Sequence, residues 1–111
     1  MAETYKNARK ALDTTYGVAV YTCPSATTAI VLAAQAANVD GVASADVSAQ
    51  WLDSSAADAA TRIVETLAVP ADAAVNLLGG PVTLEAGDAF QAKASAAGDI
   101  ELTLAVLEIT P

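Results

Sequence analysis

Apolar and polar residues alternate along several short segments of the chain. The segment "DVSAQWL" alternates Val47, Ala49 and Trp51 with polar residues. The segments "FQAKAS" and "IELTLAV" repeat this period of two, with apolar positions at Phe90, Ala92, Ala94, Ile100, Leu102, Leu104 and Val106. A period of two places successive side chains on opposite faces of a β-strand. We therefore predict half-buried strands with these residues, Trp51 included, facing the core.

Turn-forming residues separate the apolar runs at short intervals, as in "NVDGVAS", "LLGGP" and "SAAGD". The predicted strands are Gly17–Tyr21, Thr28–Ala37, Ala45–Leu52, Thr61–Val69, Ala74–Leu78, Val82–Leu84, Ala89–Ala94 and Ile100–Ile109. With no long helix between them, these strands are expected to pair antiparallel. The predicted fold class is all-β: a single antiparallel β-sandwich, jelly-roll or immunoglobulin-like, of about eight short strands.

Alanine accounts for 28 of the 111 residues, which by propensity alone would favour helices. The alternation outweighs that propensity, and alanine then indicates a thin core in which two sheets approach closely. The large side chains, Trp51 and Phe90 among them, are expected to supply most of the buried area. A thin core also favours association, because contact between copies buries further apolar surface.

The first residues differ from the rest in composition and charge. Residues 3–12 are good helix formers but too few for a stable free helix. We predict that residues 1–15 form an extended or partly helical arm, ordered by a neighbouring copy or partner, and that residues 16–111 form the sandwich domain. A frayed terminus is the alternative.

Net charge is −8, made up of +2 over residues 1–12 and −10 over residues 13–111. An acidic body repels nucleic-acid phosphates and anionic lipid, whereas the basic arm suits an acidic surface such as a neighbouring copy. The last strand is apolar on both faces in its second half, which is typical of a central strand or of an interface strand. The predicted interface residues fall in two groups. Leu107 and Ile109, with Ala105 on the same outer face, are expected to join copies of the chain, whereas residues 2–16 are expected to lie along a partner through Tyr5, Lys6, Arg9, Lys10, Leu12 and Tyr16.

Catalytic and metal-binding patterns are not found in the sequence. The chain has no histidine and one cysteine, which removes the ordinary metal sites and nucleophile–base pairs. The aspartates fall in turn segments, where they usually bond their own backbone, and a calcium site at Asp40 and Asp46 lacks the alternating oxygen ligands. We predict no catalytic residue, no cofactor and no metal, and therefore a protein that is not an enzyme.

Three further features indicate structural rather than functional roles for the remaining motifs. Gly79 and Gly80 precede a proline rather than a helix start, so we predict a hairpin turn with positive φ rather than a phosphate loop. Cys23 is expected to be a small buried hydrophobe. The longest apolar run is Ala29–Ala34, too short for a membrane helix, and the N-terminus lacks the apolar core of a secretory signal.

Three long segments together make up most of the chain: "VYTCPSATTAIVLAAQAANVDG", "ADVSAQWLDSS" and "TLAVPADAAVNLLGGPVTLEAGDAFQAKASAAGDIELTLAVLEIT". In these segments the chain resembles a recurring type of small virion protein of tailed bacteriophages. The matching segments extend from Tyr16 to Thr110 and consist mainly of turn and core residues. The resemblance brings no catalytic residues with it.

The resemblance implies a virion structural protein, and a small acidic sandwich with an arm fits a capsid decoration (cement) protein best. The expected partners are the major capsid protein and further copies of the chain, three around a symmetry axis, with no nucleic acid, membrane or small-molecule substrate. The expected location is the outer surface of the phage head, after synthesis in the host cytoplasm. The alternative is a tail, fibre or head-spike module that attaches to the virion or recognises host-surface glycans.

Overall fold

A computed structural model describes all of residues 1–111. Nine strands form the fold: β1 Ala2–Ala11, β2 Tyr21–Thr22, β3 Thr28–Asn38, β4 Ala45–Asp53, β5 Ala59–Val69, β6 Ala74–Asn76, β7 Val82–Leu84, β8 Ala89–Ala94 and β9 Ile100–Thr110. The helical content is a single 3-10 turn at Ser54–Ala56. No helix has the length and apolar character needed to cross a membrane.

The strands form two antiparallel sheets. One sheet, which we call sheet I, has the order β1-β9-β3-β6, with β7 also paired to β3. The other, sheet II, has the order β2-β8-β4-β5. Because β6 and β7 pair with different parts of β3, they are two halves of one interrupted edge strand. The predicted all-β sandwich is confirmed, and the eight resulting strands, which pass repeatedly from one sheet to the other, make it a jelly roll.

The core lies between the sheets, as the alternation predicted. Buried positions on β9 are Ile100, Leu102, Leu104 and Val106, and those on β8 include Phe90, Ala92 and Ala94. Small buried residues are frequent, among them Ala29, Ala34, Ala36 and Ala49. Trp51 is on the predicted face but is only half buried against the edge of the core. Phe90 is therefore the largest fully buried side chain.

The N-terminal segment differs from the prediction. Residues 2–11 are neither helical nor detached but form β1, which pairs with β9 along its whole length, from Ala2 opposite Thr110 to Ala11 opposite Glu101. The physical reason is that β9 would otherwise end sheet I with an unpaired row of backbone groups. Most of the segment that was predicted to be an arm is therefore the first strand of the jelly roll.

The segment predicted as a strand at Gly17–Tyr21 is mostly a loop. Only Tyr21 and Thr22 pair regularly, opposite Phe90 and Ala89 of β8, although the Val20 amide also donates to the Phe90 carbonyl at 2.8 Å. Sheet II is therefore short at this edge. As a result it covers little of β1, whose side chains are mostly exposed.

The glycine-rich turns divide into two kinds. Gly79 and Gly80 do not have positive φ, and a Cβ atom at either would meet nothing within 4 Å, so the predicted positive-φ hairpin is wrong there. Gly87 does have a positive φ of 87°, and a Cβ atom on it would lie 2.9 Å from Ser54 Oγ. The turn at 85–88 therefore requires its glycine, whereas the turn at 79–80 does not.

Candidate assembly surface

The register of sheet I determines which side chains face away from the core. On β9 the even-numbered residues from Ile100 to Val106 point inward, so Leu107 points outward. Tyr5 of β1 and Ile30 of β3 both lie opposite Leu107. Directly opposed residues of antiparallel strands share a face. Tyr5, Leu107 and Ile30 therefore form one apolar row across three strands on the outer surface.

Two more residues extend this row into a patch. Ile109 is the next outward residue of β9 and lies opposite Thr28 of β3. Leu32 is the extra residue at an irregularity of β3 between Val31 and Ala33, and it is 40% exposed. Such a bulge leaves one residue without a partner in the ladder. We call Tyr5, Ile30, Leu32, Leu107 and Ile109 the outer patch.

The outer patch is exposed to different degrees along its width. Tyr5 at the edge is 77% exposed, whereas Ile30, Leu107 and Ile109 are half buried by their neighbours on the sheet. Contiguous apolar side chains on a sheet surface are a common mark of a protein–protein contact. The outer patch can therefore form a hydrophobic contact with another protein.

The basic residues predicted for the interface lie on β1 but serve different purposes. Arg9 shares the outward face with Tyr5, since it lies opposite the outward-facing Thr103. Lys6 and Lys10 are on the other face of β1, and Lys6 is nevertheless exposed. The Lys10 ammonium donates hydrogen bonds to the carbonyls of Tyr16 at 3.2 Å and Val18 at 2.6 Å. Lys10 thus fastens β1 to the loop that follows it.

Two of the predicted interface residues are not near the patch. Leu12 is 1% exposed and belongs to the core, because its amide donates to the Ile100 carbonyl and draws the side chain between the sheets. Tyr16 packs over the outer face of sheet II, with Lys93 Nζ 4.9 Å and Arg62 Cζ 5.4 Å from its ring centroid. Neither residue can join Tyr5 and Leu107 in one contact surface of this fold.

The environment of Tyr16 also changes its acidity. Its phenol oxygen is buried and has no hydrogen-bond partner. Burial raises the pKa of this phenol, and the nearby charge of Arg62 opposes part of that rise. The aromatic ring between two cations instead supplies cation–π contacts that hold the loop on sheet II. We therefore assign Tyr16 a structural position rather than an interface.

Ile30 and Leu32 complete the outer patch but were not among the predicted interface residues. The run Ala29–Ala34 is apolar at every position, so its sequence does not distinguish inward from outward side chains. The bulge at Leu32, which has no sequence signal of its own, changes the alternation within the run. The available signal was the unbroken apolar character of the run, which predicts that both faces of the strand are covered.

Tyr21 and Cys23 both have side chains held by specific hydrogen bonds. Tyr21 donates a hydrogen bond from its phenol to Glu108 Oε2 at 2.6 Å, joining the two sheets at their edge. The Cys23 thiol donates to the Thr27 carbonyl at 3.3 Å and is 1% exposed. Burial raises the pKa of the Cys23 thiol above its ordinary value. The prediction that Cys23 is a small buried hydrophobe is confirmed.

The remaining polar groups and surface depressions were compared with the requirements of a metal site. No group of three or more His, Cys, Asp or Glu side chains is placed to hold a metal ion. The surface has shallow depressions, of which the largest, about 560 Å³, lies at the end of the outer patch beside Thr28, Glu85 and Ile109. Another of about 400 Å³ lies beside Arg9, Lys10 and Glu101. The aspartates of the turns mostly accept backbone hydrogen bonds, as Asp40 does from Val42 and Asp53 from Ser55.

Comparison with known proteins gives similarity of fold. No protein-family model matches the chain. No curated protein matches it. A solved structure of Bacillus endospore appendages, described as a novel family of disulfide-linked pili, superposes with a TM-score of 0.55 at 14% identity over 99% of this chain and 88% of that one. A structure of infectious bursal disease virus strain Gx superposes with a TM-score of 0.35 at 11% identity, over 100% of this chain and 43% of that chain.

Proposed function

We propose that this chain is a structural subunit that acts by assembling with other proteins, and that its specific role is that of a capsid decoration (cement) protein of a tailed bacteriophage. The observation that carries the proposal is the outer patch. It presents Tyr5, Ile30, Leu32, Leu107 and Ile109 on one sheet face of a small acidic domain. A subunit of this kind works by adhesion and is not an enzyme.

Several properties support the finer role. The sequence from Tyr16 to Thr110 resembles small virion proteins of tailed phages. Jelly rolls occur widely in viral capsid domains, although a fold does not by itself define a function. The fold likeness to a pilus subunit is compatible with a role in an assembly. We take the partner to be the major capsid protein.

The mechanism would be mechanical. Copies, three around a local symmetry axis, would bury their outer patches against one another or against adjacent capsid subunits. Each contact adds free energy that must be supplied before neighbouring capsid subunits can separate. Even about 3 kcal/mol per site, repeated over many copies on the outer surface of the head, would raise the resistance of the shell to internal pressure.

Assembly of this chain would be noncovalent. Its one cysteine is Cys23, which is buried and hydrogen-bonded to Thr27. A thiol that is 1% exposed has no access to a thiol of another folded copy. The disulfide linkage described for the Bacillus appendages therefore has no counterpart here, and the apolar surface must provide the contact.

Copy number in purified particles tests the proposal. Phage particles from the strain that encodes the chain are separated by electrophoresis, and its band is compared with that of the major capsid protein. A molar ratio near one supports a decoration protein. A ratio of a few per cent supports the alternative of a tail, fibre or spike module, and absence from the particles contradicts both. The same conclusion would follow if the separately expressed protein did not bind purified phage heads.

A further inference from the structure

The strand β1 contributes almost nothing to the core of the domain. Of its ten residues, only Ala8 and Lys10 are half buried, and the other side chains are exposed. The reason is geometric, because β2 of the opposite sheet is only two residues long and does not extend beneath β1. A strand with both faces open is held mainly by its backbone hydrogen bonds.

Those backbone bonds are all made to one neighbour. The register pairs run without a break from Ala2 opposite Thr110 to Ala11 opposite Glu101 of β9. Every copy of the chain presents the same β9 edge, with the same unbroken row of backbone donors and acceptors facing β1. A second copy's β1 could therefore make an identical set of contacts, which is the condition for exchange of a segment between copies.

The residues after β1 allow such an exchange to be complete. Leu12 enters the core at the end of the strand, where its amide donates to Ile100 and its carbonyl accepts from Gly98. It would seal the end of β1 equally well in another copy. Residues 13–20 link Leu12 to β2, and Asp13, Thr14, Thr15, Gly17 and Val18 in this linker are exposed.

The reach of the linker matches the size of the molecule. Eight extended residues cover at most about 26–29 Å. The domain measures 47 × 27 × 21 Å, so a neighbour packed against its side has its β9 within this distance. Charge favours the same arrangement, because residues 1–12 carry +2 and would cross between two bodies that each carry −10.

We propose that β1, together with Leu12, is an exchangeable strand that pairs with β9 of a second copy when the chain assembles. This inference rests on the proposed assembly and specifies how copies are joined. The outer patch brings copies together side by side, and the exchanged strand then locks them. The occupant of the β9 edge in the assembly is the β1 of another copy, in the same register as within one chain.

Disulfide trapping between two differently substituted chains tests the exchange. Asn7 and Ala105 lie opposite each other and are both exposed, so Asn7→Cys on one chain and Ala105→Cys on another can be joined only if β1 pairs with a different chain. Opposed Cα atoms of antiparallel strands are about 4.5–5.5 Å apart, within the range a disulfide spans. Both chains carry Cys23→Ala to remove the native thiol.

Equal amounts of the two chains are refolded together at high concentration, oxidised and separated without reductant. Random exchange places both cysteines at about a quarter of the β1–β9 junctions. Each cross-link joins two chains, so we expect about half of all chains to migrate as a cross-linked heterodimer. In the control, Glu101→Cys replaces Ala105→Cys, which moves the thiol four residues along β9, about 13 Å away, where no disulfide can form.

The doubly substituted single chain, Asn7→Cys with Ala105→Cys, shows whether the register itself is correct. Oligomers that form without a trans disulfide, while this double variant closes an internal one, would overturn the exchange and leave the proposed assembly intact. A chain that stays monomeric also overturns the exchange, and the copy number in particles then decides the proposed function separately. If Cys23→Ala unfolds the chain, the same trial is run with the buried Cys23 retained.

Discussion

The carboxylate of Asp88 lies buried between two turns at one end of the sandwich. It is 1% exposed and accepts three hydrogen bonds: Oδ1 from the Ser54 amide at 2.9 Å and the Ser54 hydroxyl at 3.1 Å, and Oδ2 from the Glu85 amide at 2.9 Å. Its own carbonyl accepts from the Cys23 amide. A sequence reading that places this aspartate in an ordinary exposed turn misses its role, because burial depends on the distant 3-10 turn at Ser54.

Asp88→Asn is expected to destabilise the fold by about 1–3 kcal/mol. The amide group of asparagine would present a donor to at least one of the N–H or O–H donors that the carboxylate now satisfies. The measurement is chemical denaturation at neutral pH. Asp58→Asn is the matched control, because Asp58 is exposed and its side chain makes no hydrogen bond, and we expect no comparable change. Equal stability of the two variants would contradict the assigned role.

The tyrosine at the sheet edge predicts a loss of stability in alkali. Burial, and then the hydrogen bond to Glu108, raise the pKa of the Tyr21 phenol above its ordinary value of 10.0. The folded state therefore holds this proton more tightly than the unfolded state does. The resulting stability is complete below the ordinary pKa and is lost as pH rises past it.

We expect the free energy of unfolding to fall more steeply from about pH 9 to about pH 11 in the native chain than in Tyr21→Phe. Unfolding curves in urea across that range measure the difference. Tyr5→Phe removes an exposed phenol hydroxyl and serves as the comparison. Parallel curves for the native chain and Tyr21→Phe would show that the bond to Glu108 carries no such linkage.

At the scale of the elements, seven of the strands could be placed from sequence alone, and their bounds agree closely for β4, β7, β8 and β9. The strands β8 and β9 bury one face along most of their length, so apolar and polar residues alternate along them. The strand β1 could not be recognised, because neither of its faces is buried and its residues, such as Glu3, Lys6 and Arg9, carry no alternation. Its formation depends on the free edge of β9, which is a tertiary effect.

The two glycine-containing turns give a prediction at the same scale. Gly87→Ala is expected to cost about 1–2 kcal/mol, because it places a Cβ atom in the left-handed region and against Ser54. Ser54 Oγ cannot move away easily, since its one proton lies within hydrogen-bond reach of both the Ala86 carbonyl and Asp88 Oδ1. Gly79→Ala is the control, with open space around the new atom and no positive φ, and should be neutral or slightly stabilising. Thermal unfolding of both variants makes the comparison.

At the scale of the whole molecule, the sequence predicted part of the outer patch. Leu107 and Ile109 were identified because the last strand is apolar on both faces, and Tyr5 because it lies in the N-terminal segment that was predicted to contact a neighbouring copy or partner. Two other predicted interface residues lie elsewhere, since Leu12 is buried in the core and Tyr16 lies over sheet II. The sequence does not show which sheet a loop residue covers. Tyr16 contacts Lys93 and Arg62 on sheet II, whereas the outer patch is on sheet I.

Leu107→Thr is expected to weaken self-association or head binding about 5- to 150-fold, since loss of the apolar contact of this half-buried side chain costs on the order of 1–3 kcal/mol. Threonine preserves strand propensity, so the monomer should remain folded. Sedimentation velocity over a concentration series measures the association. Thr103→Ser, on the same strand and face but outside the patch, should leave it unchanged. An unchanged association for Leu107→Thr would exclude this face as the contact.

The burial of Cys23 has a practical consequence for following the molecule in solution. With a single thiol sealed beneath the segment that ends at Thr27, a thiol reagent can react only when that part of the roll opens. The rate of labelling therefore reports the fraction of molecules in which this part of the domain is locally open, and it does so in the unsubstituted protein. If labelling is slower after the protein is mixed with phage heads, binding to the heads has stabilised the closed state of the domain.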